Sequence, residues 1–243
     1  MNDYERIPEI HPDLPADAVA VDECGEDLCT LTTTAKICVA PAYHARGFTS
    51  APNAVQVRTT VRDALHRAAL GLPTGLFLLV WDGLRTLQTQ REIAQRFAIS
   101  LRLCADEKER ETLFQRYVSP LPKSLAQFTR QPPPHATGGA VDLSLCDADG
   151  NSLDLGAEFD QFDENAWLTW FEHRCSNPRS SRADNKRRRL RRILYWAMVG
   201  AGFAPYAWEY WHFELNTRAA AAFYHRDVAA YGPAVPWSGN SGD

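Results

Sequence analysis

Two stretches of this chain hold residue types that could do chemistry together. In HATGGAVD, His135 stands seven residues before Asp142, with Gly138 and Gly139 between them. In WEYWHF, Glu209 stands three residues before His212. Two imidazoles and a carboxylate are a ligand set for a catalytic zinc that leaves its fourth position to water. A second carboxylate beside a ligand is what can take that water's proton. His11, His44, His66, His173 and His225 have no such surroundings and read as ordinary surface or core histidines. Spacing alone leaves the metal open. Seven is an odd separation along a strand, and three residues apart on a flat strand point to opposite faces. The glycines must fold the backbone between His135 and Asp142. A bulge, or a strand that begins only after Glu209, must correct the second pair.

The elements that position these stretches follow from periodicity and punctuation. Lys36–Val39 reads as a short strand, and Tyr43–Ala51 as a Gly-containing loop able to reach over a pocket. Val61, Leu65 and Ala68 or Ala69 recur at helical spacing in a helix over 55–70, with Gly71 at its end. Leu76–Trp81 is a buried strand by composition and delivers Arg85 to the loop at its end. Helices over 87–99 and 106–118 follow, and prolines at 120, 122 and 132–134 then impose an extended approach to His135. Ala140–Leu145 is a strand, DADGN a turn rather than a calcium loop, and 156–180 an irregular excursion. A helix over 182–198 leads to a strand or hairpin over 203–215 that carries the second motif. Residues 1–30 read as an acidic, proline-broken arm, surface-lying or loose, residues 31–230 as the domain, and residues 231–243 as a turn-rich tail.

Composition narrows the classes. At 243 residues, 45% hydrophobic and 23% charged, the chain suits one soluble globular domain. A net charge of −4 argues against nucleic acid as the partner. The basic run Arg187–Arg192 is threaded by Leu190, Ile193, Leu194 and Ala197 at helical spacing, so its arginines are expected on the solvated face of an amphipathic helix. The longest apolar runs are too short to span a bilayer, and the N-terminus lacks a signal pattern, so the expected location is cytoplasmic and off the membrane. The six cysteines form no C-x-x-C pair and are expected reduced, although Cys24 and Cys29 are near enough in sequence to bridge or share a metal.

The set WDGLR, HATGGAVDLSL and EYWHF resembles the D-alanyl-D-alanine dipeptidase family of zinc peptidases, of the vancomycin-resistance and cell-wall-recycling type. That family is related to D,D-carboxypeptidases and the hedgehog fold. The likeness runs from about Lys36 to Leu215 and includes NKRRRLRRIL, similar to the family's arginine-rich helix. It implies an α+β domain with helices packed on one face of a small, mainly antiparallel sheet and one zinc at that sheet. It implies that His135, Asp142 and His212 hold the zinc, that Glu209 is general base and then acid, and that Arg85 binds the developing oxyanion. Tyr43 falls where the family places a pocket-lining tyrosine. The family's tyrosine and proline flanking the arginine are Leu84 and Thr86 here, and a serine before the first histidine is Pro133. These departures bear on substrate choice and leave the ligands untouched. The implied activity is hydrolysis of a short D-amino-acid peptide, D-Ala-D-Ala first. A carboxypeptidase or endopeptidase acting on cell-wall stem peptides is the alternative within the class, and a zinc-bearing binding module without turnover the alternative outside it. A small peptide is the only partner implied, and the oligomeric state stays open.

Overall fold

Phe77–Asp82, five apolar residues followed by an aspartate and closed by Gly83, forms the second strand of the main sheet, and Ala140–Cys146 pairs against it with all seven of its residues buried. The computed structural model describes residues 4–11, 15–103, 106–118, 120–177 and 179–238; Cys104 lies outside them. In chain order the strands are β1 (Ala20–Val21), β2 (Leu28–Thr30), β3 (Ile37–Val39), β4 (Gln56–Arg58), β5 (Phe77–Asp82), β6 (Ala140–Cys146), β7 (Ala204–Pro205), β8 (His212–Glu214) and β9 (Val228–Ala229). The α-helices are α1 (Ala42–Ala45), α2 (Thr59–Leu70), α3 (Leu87–Ser100), α4 (Glu107–Tyr117), α5 (Leu125–Arg130), α6 (Trp170–Arg174), α7 (Arg182–Gly200) and α8 (Arg218–Phe223).

The main sheet has five strands in the order β3-β5-β6-β8-β7. Its β3–β5 pair is parallel and the other three pairs are antiparallel. It is therefore mixed and larger than the small, mainly antiparallel sheet expected, because the crossover through α1, β4 and α2 returns β5 alongside β3 in the same direction. Two further two-stranded sheets join β1 to β9 and β2 to β4. The helix expected from residue 55 begins only at Thr59, since Gln56–Arg58 is taken up in the ladder with β2. The stretch from Tyr43, expected as loop, opens with one helical turn. Helices α5 and α8 were not anticipated; each is a six-residue piece, too short to show a clear period, and each is capped by a serine or threonine, Ser124 or Thr217.

Helices α2 and α7 pack on each other, and α7 also contacts β6. Their apolar stripes, Val61, Leu65 and Ala68 on one and Leu190, Leu194 and Met198 on the other, enter the principal core. Ile7 is part of the same core, and its amide donates to the buried Glu172. Glu23 pairs with Arg58, and Glu26 accepts from the hydroxyl of the buried Tyr231, so residues near both ends lie on the domain body. Cys24, Cys29, Cys38, Cys146 and Cys175 are free thiols. No described helix is long and apolar enough to cross a membrane.

The arginine run of α7 departs from the solvated-face expectation. Arg189 is exposed, but Arg191 is only 2% exposed and Arg192 forms two 2.6 Å hydrogen bonds to the buried Glu172. Arg191 donates to three backbone carbonyls, those of Leu155, Asn165 and Trp167, and its guanidinium lies over the rings of Phe171 and Tyr210. With no carboxylate among these contacts, burial pulls its pKa down to about 9. The side chain thus stitches the irregular excursion onto α7, which helical spacing could not reveal.

Replacing Arg191 with methionine strands the buried Leu155 carbonyl and the part-buried carbonyls of Asn165 and Trp167, at roughly 1–3 kcal/mol for each group left unsatisfied. The melting temperature of Arg191→Met is expected to fall by about 10 °C, since each kcal/mol is worth about 2–4 °C in a domain of this size. Arg191→Lys should recover little, lacking the planar fork. Arg189→Ala should change the melting point hardly at all. Thermal denaturation of the three variants checks this.

Candidate metal centre and catalytic pocket

Antiparallel register sets the first contact of the site. Asp142 on β6 lies directly opposite His212, the first residue of β8. On the other side of β6 the register with β5 slips by one residue between Val80 and Asp82, a bulge that places Asp82 opposite Asp142 as well. Three strands therefore bring Asp82, Asp142 and His212 into one line across the sheet. His135 comes from outside the sheet, on a turn of 3-10 helix over Pro134–Thr137. Gly138, at φ +71°, turns the chain from that helix into β6, and a Cβ on Gly139 would stand 2.6 Å from the Leu215 carbonyl oxygen. The double glycine is what lets an odd separation converge. The other parity difficulty is met by Glu209 sitting in the turn ahead of β8.

His135, Asp142 and His212 are all buried, and their ligand-type atoms lie within 4.8 Å of one another. His135 Nε2 is 3.3 Å from His212 Nδ1 and 3.3 Å from Asp142 Oδ2. His212 Nδ1 is 2.9 Å from Asp142 Oδ1. Ligands about 2.0–2.2 Å from a zinc at tetrahedral corners stand about 3.3–3.6 Å apart. Two of the three edges already have that length.

The outer nitrogens fix the tautomers. His135 Nδ1 donates to the Gly83 carbonyl at 2.7 Å, which can only accept, so its Nε2 presents a lone pair. His212 Nε2 lies 3.1 Å from Glu214 Oε1, and Glu214 is held in turn by the Thr217 hydroxyl. With that proton given to Glu214, His212 Nδ1 also presents a lone pair toward the centre. Three acceptors thus face one point, an arrangement that a cation satisfies and that resembles the outer contacts of metal-binding histidines. Without a cation the molecule resolves the conflict with a proton: burial opposes the charge on His212, but hydrogen bonds to Asp142 and Glu214 push it up to about 10. Burial would raise Asp142, yet the two imidazoles hold it well below the usual carboxylate range.

Arg85 is anchored rather than free. Its Nε and Nη2 donate to Asp82 Oδ2 at 2.9 and 2.7 Å, Nη1 donates to Gln90, and Nη2 also reaches Asp142 Oδ2 at 3.1 Å. The guanidinium lies 5.0 Å from the centre of the Tyr43 ring. Thr86, where the resemblance had a proline, caps α3 by accepting from Thr89 N. The Tyr43 hydroxyl donates to Asp160, whose carboxylate also pairs with Arg46. Burial lifts Asp160 to about 7 despite that arginine. Glu209 keeps one face open to the pocket, but the protein around it removes enough water to lift it to about 8, with His212 the main opposing influence.

These groups share a cavity of about 300 Å³, lined among others by Tyr43, Arg85, His135, Asp142, Asp160, Glu209 and His212. All six residues singled out in the sequence line it. Three contributors were missed there. Asp82 stood in WDGLR at the i, i+3 spacing that a guanidinium clamp uses, and Glu214 stood two residues after His212, hence on the same strand face. Asp160 carried no local signal: it sits at φ +59° within the excursion, and only the tertiary fold brings it to Tyr43.

Comparison with known proteins agrees with this geometry. The family model described as D-ala-D-ala dipeptidase matches residues 50–230. A D-alanyl-D-alanine dipeptidase of Synechocystis sp. is 26% identical over 235 residues, covering 88% of this chain and 94% of that one. The D-alanyl-D-alanine dipeptidase of Enterococcus faecium is 28% identical over 156 residues, 63% of this chain and 68% of its own. That of Escherichia coli is 37% identical over 86 residues, 35% of this chain and 39% of its own. With three quarters of its length matched and a buried His-Asp-His cluster at the heart of that match, the chain belongs to the D-Ala-D-Ala dipeptidase family of metallopeptidases.

Proposed function

We propose that this protein is a zinc-dependent dipeptidase that hydrolyses D-Ala-D-Ala, with His135, Asp142 and His212 as ligands. The observation that carries the reading is three convergent lone-pair donors at zinc-ligand spacing, opening with Glu209 and Arg85 into one small cavity. That cavity lies at the small end of ligand pockets, which run about 300–1,000 Å³, and it suits a dipeptide better than an extended chain. The donor set of two neutral imidazoles and one carboxylate favours zinc over harder cations such as magnesium, which take oxygen ligands.

When bound there, zinc supplies Lewis acidity, making water nucleophilic near neutral pH and polarising a carbonyl. The protein's own residues do the rest. Glu209 accepts the proton of the attacking water and returns it to the leaving amine, a task suited to a carboxyl whose pKa burial has moved toward neutrality. Arg85, fixed by Asp82 and Gln90, offers charge where the carbonyl oxygen becomes negative and cannot lose it by titration. Asp160, held by Tyr43 and Arg46, supplies an acid for the ammonium end of the dipeptide. A binding module without turnover has no use for a desolvated carboxylate facing the cavity beside a clamped arginine.

The direct test is zinc content and D-Ala-D-Ala hydrolysis of Glu209→Gln and His212→Ala. Glu209→Gln should keep about one zinc per chain and lose about 10²–10⁴-fold in kcat. His212→Ala should lose metal and activity together. Wild-type turnover in Glu209→Gln would refute the assignment of the base.

Glu214→Ala should weaken zinc binding about 10–100-fold, measured by chelator competition, because the outer proton of His212 loses its acceptor. Stability gives an independent readout on Glu209. Its carboxyl titrates near the ordinary 4.5 when unfolded and about 8 when folded. Its contribution is therefore fully present below pH 4.5 and is lost as pH rises through about 8. With zinc chelated, Glu209→Gln should melt a few degrees above wild type at pH 8.5 and close to it at pH 4.5.

A further inference from the structure

Arg116, the penultimate residue of α4, lines the catalytic cavity and has no role in the chemistry just described. Its guanidinium carbon sits 4.6 Å from the ring centre of Trp208, the residue before Glu209, and 5.5 Å from that of Trp167. Its backbone carbonyl accepts from the Tyr206 hydroxyl, and the Tyr206 ring packs edge-on against His212 with centroids 5.7 Å apart. One tyrosine therefore links the backbone of Arg116 to a metal ligand. The other arginines that line or border the cavity are matched with acids: Arg85 with Asp82 and Asp142, Arg46 with Asp160. Among the described residues no carboxylate lies within ion-pair distance of Arg116. A half-buried guanidinium, stacked on indoles and hydrogen-bonded to the neutral Tyr117 side chain but matched with no acid, keeps further N–H donors for a planar bidentate anion.

We propose that Arg116 is the specificity-determining anchor for the α-carboxylate of the substrate's C-terminal residue. This rests on the dipeptidase reading and adds what that reading leaves open, namely what limits cleavage to a bond next to a free carboxyl end. Asp160 takes the positive end of a zwitterionic dipeptide and Arg116 the negative end, so a peptide whose carboxyl is blocked or displaced by further residues forfeits the second contact. The metal ligands and Glu209 act on either substrate alike.

The test compares D-Ala-D-Ala with its C-terminal amide in wild-type, Arg116→Gln and Arg116→Lys zinc enzymes. A charge-assisted pair of about 1.5–3 kcal/mol corresponds to roughly 10–150-fold. Arg116→Gln should raise KM for the free acid by about that factor with kcat little changed, and leave the amide's kcat/KM as in wild type. Arg116→Lys should fall between. Equal losses on acid and amide would mean that Arg116 only supports its indoles, and no change on the acid would remove it from recognition; either result overturns the proposal. Calorimetric binding of D-Ala-D-Ala to Glu209→Gln, with and without Arg116→Gln, separates the two hypotheses. Binding that is unaffected by Arg116→Gln sinks the anchor alone, whereas absence of any binding or hydrolysis sinks the dipeptidase reading and the anchor with it.

Discussion

The site depends on a single register. Asp142 and His212 meet because β6 and β8 pair antiparallel with those two residues opposite each other, and a slip of one residue would send one of them to the other face of the sheet. The same strand depends on a fault in its other neighbour. Were β5 regular, Trp81 would stand opposite Asp142, and Asp82 would lie beyond it on the other face. The bulge between Val80 and Asp82 brings the carboxylate into line instead, and Arg85 is then fixed three residues on by two bonds to that carboxylate. One irregularity in the ladder thus positions both the arginine and its anchor.

Around that line each imidazole is oriented by a group outside the His-Asp-His cluster. The Gly83 carbonyl, at the end of β5, decides which nitrogen of His135 faces inward, and Glu214 does so for His212. Gly83 belongs to the strand end that carries Asp82, and Glu214 to the strand that carries His212 itself. The tautomers are therefore consequences of the sheet and not separate adjustments. The groups that set direction thus lie on strands or at their ends, while Glu209 and Asp160, which face the cavity, lie on turns.

Much of this was legible in the sequence, for definite reasons. Residues that act through their own side chains at short spacing leave a pattern, and His135, Asp142, Glu209 and His212 could be named from type and separation, with Arg85 named at the end of a short apolar strand. The pattern also exposed its own difficulty, since neither pair fits a flat strand, and the remedies proved to be two glycines and a turn. What the sequence did not show are contacts made to backbone. Arg191 looks like one more solvated arginine in RRRLRR, because its partners are the carbonyls of Leu155, Asn165 and Trp167, and a carbonyl has no letter in the sequence. Asp160 was hidden for the complementary reason: its neighbours Tyr43 and Arg46 are more than a hundred residues away along the chain. The parallel pairing of β3 with β5 escaped because strand order is a property of the connections, which short apolar runs do not encode.

The charges of the cavity explain why such a site needs partners at all. Asp82, Asp142, Asp160, Glu209 and Glu214 gather around the ligands, whereas Arg85 and Arg46 are the cations paired with them. The protein alone tolerates this excess of acid by keeping protons: His212 stays protonated up to about 10, and Glu209 and Asp160 are lifted to about 8 and about 7, mainly by burial. On the proposed reading His135, Asp142 and His212 would hold a dication, whose charge would disfavour the proton on His212 and favour the ionised form of the neighbouring carboxyls. The charge that would polarise a carbonyl would then also favour the proton-accepting form of Glu209. On the same reading an ammonium group at Asp160 would offset one more negative charge. A zwitterionic dipeptide adds no net charge, so its two ends would have to be met separately, the ammonium by an acid and the carboxylate by a cation, and the placing of charge in the cavity rather than its sum would select for a small zwitterion.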